Sequence, residues 1–457
     1  MGFLDDRYLL ESDAAVDLYE SIADLPIVDP HNHIDLVEVV ENEPWRDIWA
    51  VEGATDHYVW QLMRKRGVPE SKITGDTTNR EKWNALARVA PDFAGNPTYE
   101  WLHLDLKRRF GIETPLSADS ADKIWNETKA LLAEPEYRPQ AILRDMDVEV
   151  LCSSDDPADD LVYHERAKTE VDGIDVRPTW RPDRALKVES DAWATFVSDL
   201  ATATESDIDG FGDFLDALAA SHDYFDDHGC VACDIGMGTD PVSKAVSRDR
   251  AGEVYRRAQA GGSSGLSDAE VRDFKAFLLD YIGELNRETG WVTQLHIGAV
   301  RDYRQSLLED VGPNAGGDVS TQDVDLVGGL DHFLDRFDDD LEIVLYTLDP
   351  THYPDATVVA RAYPNVSVGP AWWFNDSPMG IENQLERVAS VDLLANYAGM
   401  VSDSRKVVSY GSRFELFRRT LANVVGTMVE RGQLPMANAE RLVQHVAYDR
   451  PKALYGL

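Results

Sequence analysis

Eight short, nearly continuous apolar runs, most of them separated by helical patterns, constrain this chain more than any other feature. They are Leu25–Asp29, Val148–Ser153, Gly173–Pro178, Gly229–Asp234, Trp291–His296, Leu341–Tyr346, Asn365–Pro370 and Gly399–Asp403. Strands buried on both faces carry continuous apolar runs, whereas strands with one wet face alternate. Eight such strands alternating with helices give the arithmetic of an α/β chain folded as a (β/α)8 barrel. A doubly wound open sheet is the competing arrangement, but no glycine-rich phosphate loop follows the first run to support it.

The spacing of the runs is uneven. The longest interval, residues 36–143, holds several helical patterns, among them DHYVWQLMRKRG and SADKIWNETKALLAE. We read it as a helical insertion covering the barrel mouth, with residues 1–35 and 144–457 forming the barrel. A second long interval, from Ile235 to Gly290, contains AGGSSGLSDAE. This reads as a flexible turn followed by a helix capped by Ser267, with Glu270 three residues on.

The bulk composition excludes several classes. Hydrophobic residues make up 43% of the chain, enough for a large core and too many for a disordered protein. No apolar run approaches the ~20 residues that span a bilayer. The first 20 residues are acidic throughout, unlike a secretory signal, so the expected location is cytoplasmic. Net charge is −39, from 83 acidic and 44 basic residues spread along the whole chain. Such a surface repels nucleic acid. It also repels itself at low salt, a penalty that fades at molar salt, where the screening length is about 3 Å. The composition therefore points to a halophilic protein. Cys152, Cys230 and Cys233 are too few for a disulfide scaffold, and Cys230-x-x-Cys233 reads as core rather than as half a metal clip.

The chemistry concentrates where the runs end. Asp29-Pro-His31-Asn-His33 follows the first run. Side chains two apart on extended backbone point the same way, so His31 and His33 can present two imidazoles to one metal ion. Asp403 ends the eighth run, which neighbours the first in a closed barrel. Two histidines and a carboxylate with open positions make a catalytic metal site at the C-terminal face, where barrel enzymes work. Arg405 lies two residues on. His296 ends the fifth run, as a further ligand or a substrate donor, and Arg301 follows it. Arg177 and Arg181 follow the third run. Arginines at this face suit a substrate carboxylate. Trp372 and Trp373 end the seventh run, where aromatics pack against sugar rings or fill a core.

The sequence resembles the uronate (glucuronate) isomerase family of the amidohydrolase superfamily. The resemblance runs through LPIVDPHNHI, DHYVWQLMRKRGVPESKITGD, SSDDP, RPTWRPD, QLHIGAVRD, WWFND and SDSRKVVSYGSRFELFRR, nearly the whole chain in order. It implies conversion of D-glucuronate to D-fructuronate, and of D-galacturonate to D-tagaturonate. It implies one divalent metal, zinc, on His31, His33 and Asp403, a small-molecule hexuronate substrate, and a homo-oligomer. By the same resemblance His57 and Tyr58 form an active-site pair supplied by the insertion, and Arg405 and Arg181 lie near the substrate. Asp403 would then be ligand and proton acceptor, working with Tyr58. The chain departs from the family pattern at Asn32, Ile235, Phe414 and the loop LDPTHY. Two other readings stay open on the residues alone: a metal-dependent amidohydrolase or lactonase, and a non-catalytic sugar-acid binder.

Overall fold

A computed structural model describes residues 2–261 and 265–457. Residues 262–264 of the expected turn lie outside the described residues. The helix that follows, Asp268–Thr289, starts as its sequence predicts. Ser267 and Glu270 form a reciprocal capping box, the Ser267 N–H donating to the Glu270 carboxylate at 3.0 Å.

Seven of the eight apolar runs contain regular strands. These are β1 (Ile27–Asp29), β2 (Val148–Cys152), β3 (Asp175–Arg177), β4 (Ala232–Gly238) and β5 (Val292–Ile297). Two dipeptide strands follow, β6 (Ala299–Val300) and β7 (Val319–Ser320), then β8 (Ile343–Thr347) and β9 (Val366–Val368). The chain is α/β with parallel sheets. β1, β2 and β3 pair in parallel in that order, and β4, β5, β8 and β9 do likewise. Trp180, just past β3, joins the two groups. Its N–H donates to the Ala232 carbonyl at 3.2 Å and its carbonyl accepts from the Asp234 N–H at 3.0 Å. The antiparallel pair β6–β7 was not expected; two residues per strand leave no pattern to read.

The eighth run is a correction. Gly399–Asp403 forms no regular strand. Gly399 takes φ +92° and Asp403 φ +47°, both in the left-handed region that breaks a ladder. The run still lies between its expected neighbours. The Ala398 N–H donates to the Val368 carbonyl at 3.0 Å and the Asp403 N–H to the His31 carbonyl at 3.2 Å. Between them Asp29 substitutes a side chain for the ladder. Its carboxylate accepts from the Ser402 N–H at 2.8 Å and from the Ser402 hydroxyl at 2.5 Å.

The stretch between β1 and β2 is helical, and no strand interrupts it among the described residues. His57–Lys65 begins at Asp56, whose side chain accepts from the N–H groups of Tyr58 and Val59. Ala121–Leu131 matches the second pattern. On the opposite side of the sequence, helix Asp13–Ile22 packs closely on helix Ser409–Glu430. A Cβ at Gly426 would lie 2.8 Å from the Ala15 backbone, so only glycine permits that approach. All three cysteines are buried and unpaired, the core role expected of them. Among the described residues no helix is long and apolar enough to cross a membrane.

Candidate active site

The end of β1 and the irregular eighth run bring His31, His33 and Asp403 together. Asp403 Oδ1 lies 3.4 Å from His31 Nε2 and 3.2 Å from His33 Nε2. Its other oxygen accepts from the Trp372 indole N–H at 2.9 Å, which fixes the carboxylate plane. Burial opposes ionisation of Asp403, but bonds from the two histidines outweigh it and hold the carboxyl well below its usual range. Burial pushes the His33 imidazole down to about 4, so it is neutral at pH 7. Candidate ligand atoms of all three residues lie within 4.8 Å of one another. Two imidazoles and a carboxylate form a donor set that fits a divalent metal such as zinc.

A second buried group shares His31. Asp234, in β4, places Oδ1 2.7 Å from His296 Nδ1 and Oδ2 3.7 Å from His31 Nδ1. Arg181 donates to the same Asp234 oxygen at 2.6 Å and to Asp183 at 3.2 Å. Burial would neutralise Asp234, but Arg181, His296 and His31 keep it ionised. The His296 ring stacks at 4.3 Å on Tyr346, and Trp372 meets it edge-on at 4.7 Å.

The third contribution comes from the helix that starts at His57. The His57 ring stacks at 4.5 Å on Tyr58 and meets Trp373 edge-on at 5.7 Å. Burial drives its pKa down to about 4, and the Arg405 charge works in the same direction against the attraction of Asp56. Its buried Nε2 has no protein partner. Burial pushes the Tyr58 phenol far up, so it stays protonated at any working pH. The Arg413 guanidinium packs over Tyr58 at 5.3 Å.

These groups surround a cavity of about 400 Å³. Of the residues singled out from the sequence, His31, His33, His57, Arg181, His296, Arg301, Trp372, Trp373, Asp403 and Arg405 line it. Tyr58 does not; it backs His57 from behind. Arg177 pairs instead with Asp175 and is not in the lining. Arg301 lies over the Trp373 ring at 4.6 Å, so cation and aromatic share one wall. Lys187 adds a fourth basic side chain that sequence reasoning missed, as it missed the part of Asp234. Asp234 closes an apolar run, and a carboxylate at a strand end was the available signal. The departures from the family pattern lie beneath this surface: Ile235 and Phe414 are buried in the core. Asn32 is buried too, donating to Asp29 at 3.3 Å.

Comparison with known proteins shows the family. The glucuronate isomerase family profile matches residues 1–455. The uronate isomerase of Thermotoga neapolitana is 54% identical over 453 residues, covering 99% of each chain. The crystal structure of uronate isomerase from Thermotoga maritima superposes with a TM-score of 0.97 at 54% identity, covering both chains completely. That of glucuronate isomerase from Caulobacter crescentus gives 0.95 at 28% identity, covering 100% of this chain and 97% of the other. The full-length match to isomerases displaces the hydrolase and binder readings, and the chain belongs to the glucuronate isomerase family of isomerases.

Proposed function

We propose that this enzyme interconverts D-glucuronate and D-fructuronate, and D-galacturonate and D-tagaturonate, in hexuronate breakdown. The observation that carries the reading is the convergence of His31, His33 and Asp403 on the floor of a cavity walled by Arg181, Lys187, Arg301 and Arg405. An aldose–ketose conversion moves a proton from C2 to C1 through an enediol. It needs a base at C2 and stabilisation of the oxygen that gains charge.

His31, His33 and Asp403 would hold one zinc ion. When bound, such an ion supplies Lewis-acid polarisation of substrate oxygen. Asp403, already ionised, accepts the C2 proton on its carboxylate. Tyr58, locked as a phenol, holds the His57 ring in place by stacking on it and works with Asp403 through that support. His57, neutral and with Nε2 unpartnered, hydrogen-bonds the sugar. Arg405 steadies the enediolate oxygen. Arg181 and Arg301 orient the substrate carboxylate, with His296 at the sugar, while Trp372 and Trp373 flank the ring.

The same reading extends to the fold. We take the two parallel sheets as parts of one closed (β/α)8 barrel of amidohydrolase type. The sequential strand order, without the reversal a doubly wound sheet requires, supports this. So do the bonds from Ala398 to β9 and from Asp403 to His31. Residues 36–143 form a helical insertion over the mouth. The net charge of −39 supports a halophilic enzyme in a salt-rich cytoplasm.

Incubation with D-glucuronate and D-galacturonate in molar KCl tests the reaction. Ketose should form, with solvent deuterium appearing beside the carbonyl by NMR in deuterated water. Chelation should remove turnover and zinc restore it. Asp403→Asn should lose about a thousandfold in kcat, within the range for a positioned proton acceptor. Metal-loaded, folded protein that turns over neither sugar would overturn the proposal.

A further inference from the structure

Just past the metal-site carboxylate, a lysine is buried among acids. Lys406 is 6% exposed, and its Nζ lies 3.0 Å from Glu52 Oε2, 3.1 Å from Asp56 Oδ2 and 3.7 Å from Asp105 Oδ2. All three acids are buried and all three come from the helical stretch between β1 and β2. Burying one cation with three carboxylates is costly unless geometry repays it. Nothing in the reaction uses Lys406, and it does not line the cavity.

The wiring around it is specific. Asp56 is the cap of helix His57–Lys65. One of its oxygens, Oδ1, accepts from the N–H groups of Tyr58 at 2.8 Å and Val59 at 3.3 Å. The other, Oδ2, takes the Lys406 ammonium. A single carboxylate thus holds both the helix start that presents His57 and the segment that presents Asp403 and Arg405. That segment is tied in turn to the metal histidines, because the Ser404 carbonyl accepts from the His33 N–H at 2.9 Å. The Lys406 N–H donates to the Ser404 hydroxyl at 3.0 Å, so side chain and backbone of the segment are fixed together.

We infer that Lys406 is a positioning residue: its bond to Asp56 sets the distance between His57, carried by the helical stretch, and the His31–His33–Asp403 group, carried by the strand ends. Two halves of the site come from segments far apart in sequence, and a misplacement of about 1 Å between such halves costs on the order of a hundredfold in rate. Burial pushes the Glu52 carboxyl up to about 8, whereas Asp56, buried too, is held below its usual range beside Lys406, so Asp56 is the ionised partner that supplies the register. The inference rests on the residue roles proposed above.

Asp56→Asn tests it, because asparagine still caps a helix but turns an amide toward the ammonium. The expected result is a kcat about a hundredfold lower, with zinc content unchanged and KM moved far less. Amides at the start of helix 57–65 should exchange faster with deuterium, while those of helix 409–430 should not. Lys406→Met should reproduce the loss, and Lys406→Arg should recover most of it. Glu52→Gln, which leaves the Asp56 bond intact, should keep kcat near wild type. Should Lys406→Met fail to fold, Asp56→Asn still decides the matter. Folded Asp56→Asn with wild-type kcat and unchanged exchange would overturn the inference. If that happens while Asp403→Asn is inactive, only the positioning role falls. If Asp403→Asn is also active, the residue assignments themselves are wrong.

Discussion

Asp403 and Trp373 sit at φ +47° and +52°, a conformation that side-chain-bearing residues adopt at a cost of about 1–3 kcal/mol. Both line the cavity, and the bond from Trp372 to Asp403 holds the carboxylate in that pose. Single residues elsewhere also carry readable energetics. His222 is 1% exposed, stacks at 3.7 Å on Trp291 and bonds Asn286 through Nε2 at 3.1 Å. Burial pushes its pKa down to about 4. The unfolded chain, with an ordinary histidine, therefore binds more protons between about pH 6.5 and 4. Stability supplied by the neutral ring is full above that window and is lost as pH falls through it. His222→Gln should be less stable than wild type at pH 7 but lose up to about 3 kcal/mol less on acidification to pH 4. Urea titrations at both pH values check this; parallel losses in the two proteins would contradict it. At this scale the sequence was most informative where spacing has a mechanism. His31 and His33, two apart after an apolar run, were legible as a pair. His57 and Tyr58 were legible only through resemblance, since nothing local marks them. The acids around Lys406 were invisible, because burial of residues 52, 56 and 105 at one point follows from tertiary packing.

At the level of elements, apolar runs and caps were the legible signals. Seven runs became strands, because short runs buried on both faces are too brief for a core helix and satisfy their backbone by pairing in a sheet. The eighth run failed as a strand for a local reason. The Asp29 carboxylate takes the Ser402 N–H that a ladder would have used. The capping box at Ser267 shows how much one side chain contributes to an element. Its hydroxyl donates to the Glu270 carboxylate at 2.8 Å, and its N–H donates to the same oxygen at 3.0 Å. Ser267→Ala should cost about 1 kcal/mol of stability, the usual value of such a cap. It should leave kcat unchanged, since the helix start lies outside the cavity lining. Thermal unfolding together with steady-state kinetics measures both. A loss of activity at unchanged stability would show that this helix start communicates with the site.

For the whole molecule, charge is the dominant unsatisfied quantity. Even if every lysine and arginine paired with one acid, the excess recorded in the net charge of −39 would have no partner. Many of the pairs that do form are at the surface, such as Arg7–Asp13 and Arg66–Asp92, where each is worth about 0–1 kcal/mol. They cannot offset repulsion summed over the entire surface. Screening can. The Debye length shortens from about 8 Å at 0.15 M salt to about 3 Å at 1 M. The cavity is affected differently. Its four basic side chains share the lining with Asp183, Asp302, Asp318 and Asp403, so they act on a bound carboxylate at close range, and salt weakens that contact while strengthening the fold. Raising KCl from 0.15 M to 2 M should therefore raise Tm by about 5 °C or more, and raise kcat as the folded fraction grows. KM for uronate should rise over the same range, because dissolved ions compete for those basic side chains. Scanning calorimetry and initial rates along one salt series separate the two effects. A Tm that is flat or falling with salt would mean that the acidic surface is not an adaptation to salt, and that stability resides in the core alone.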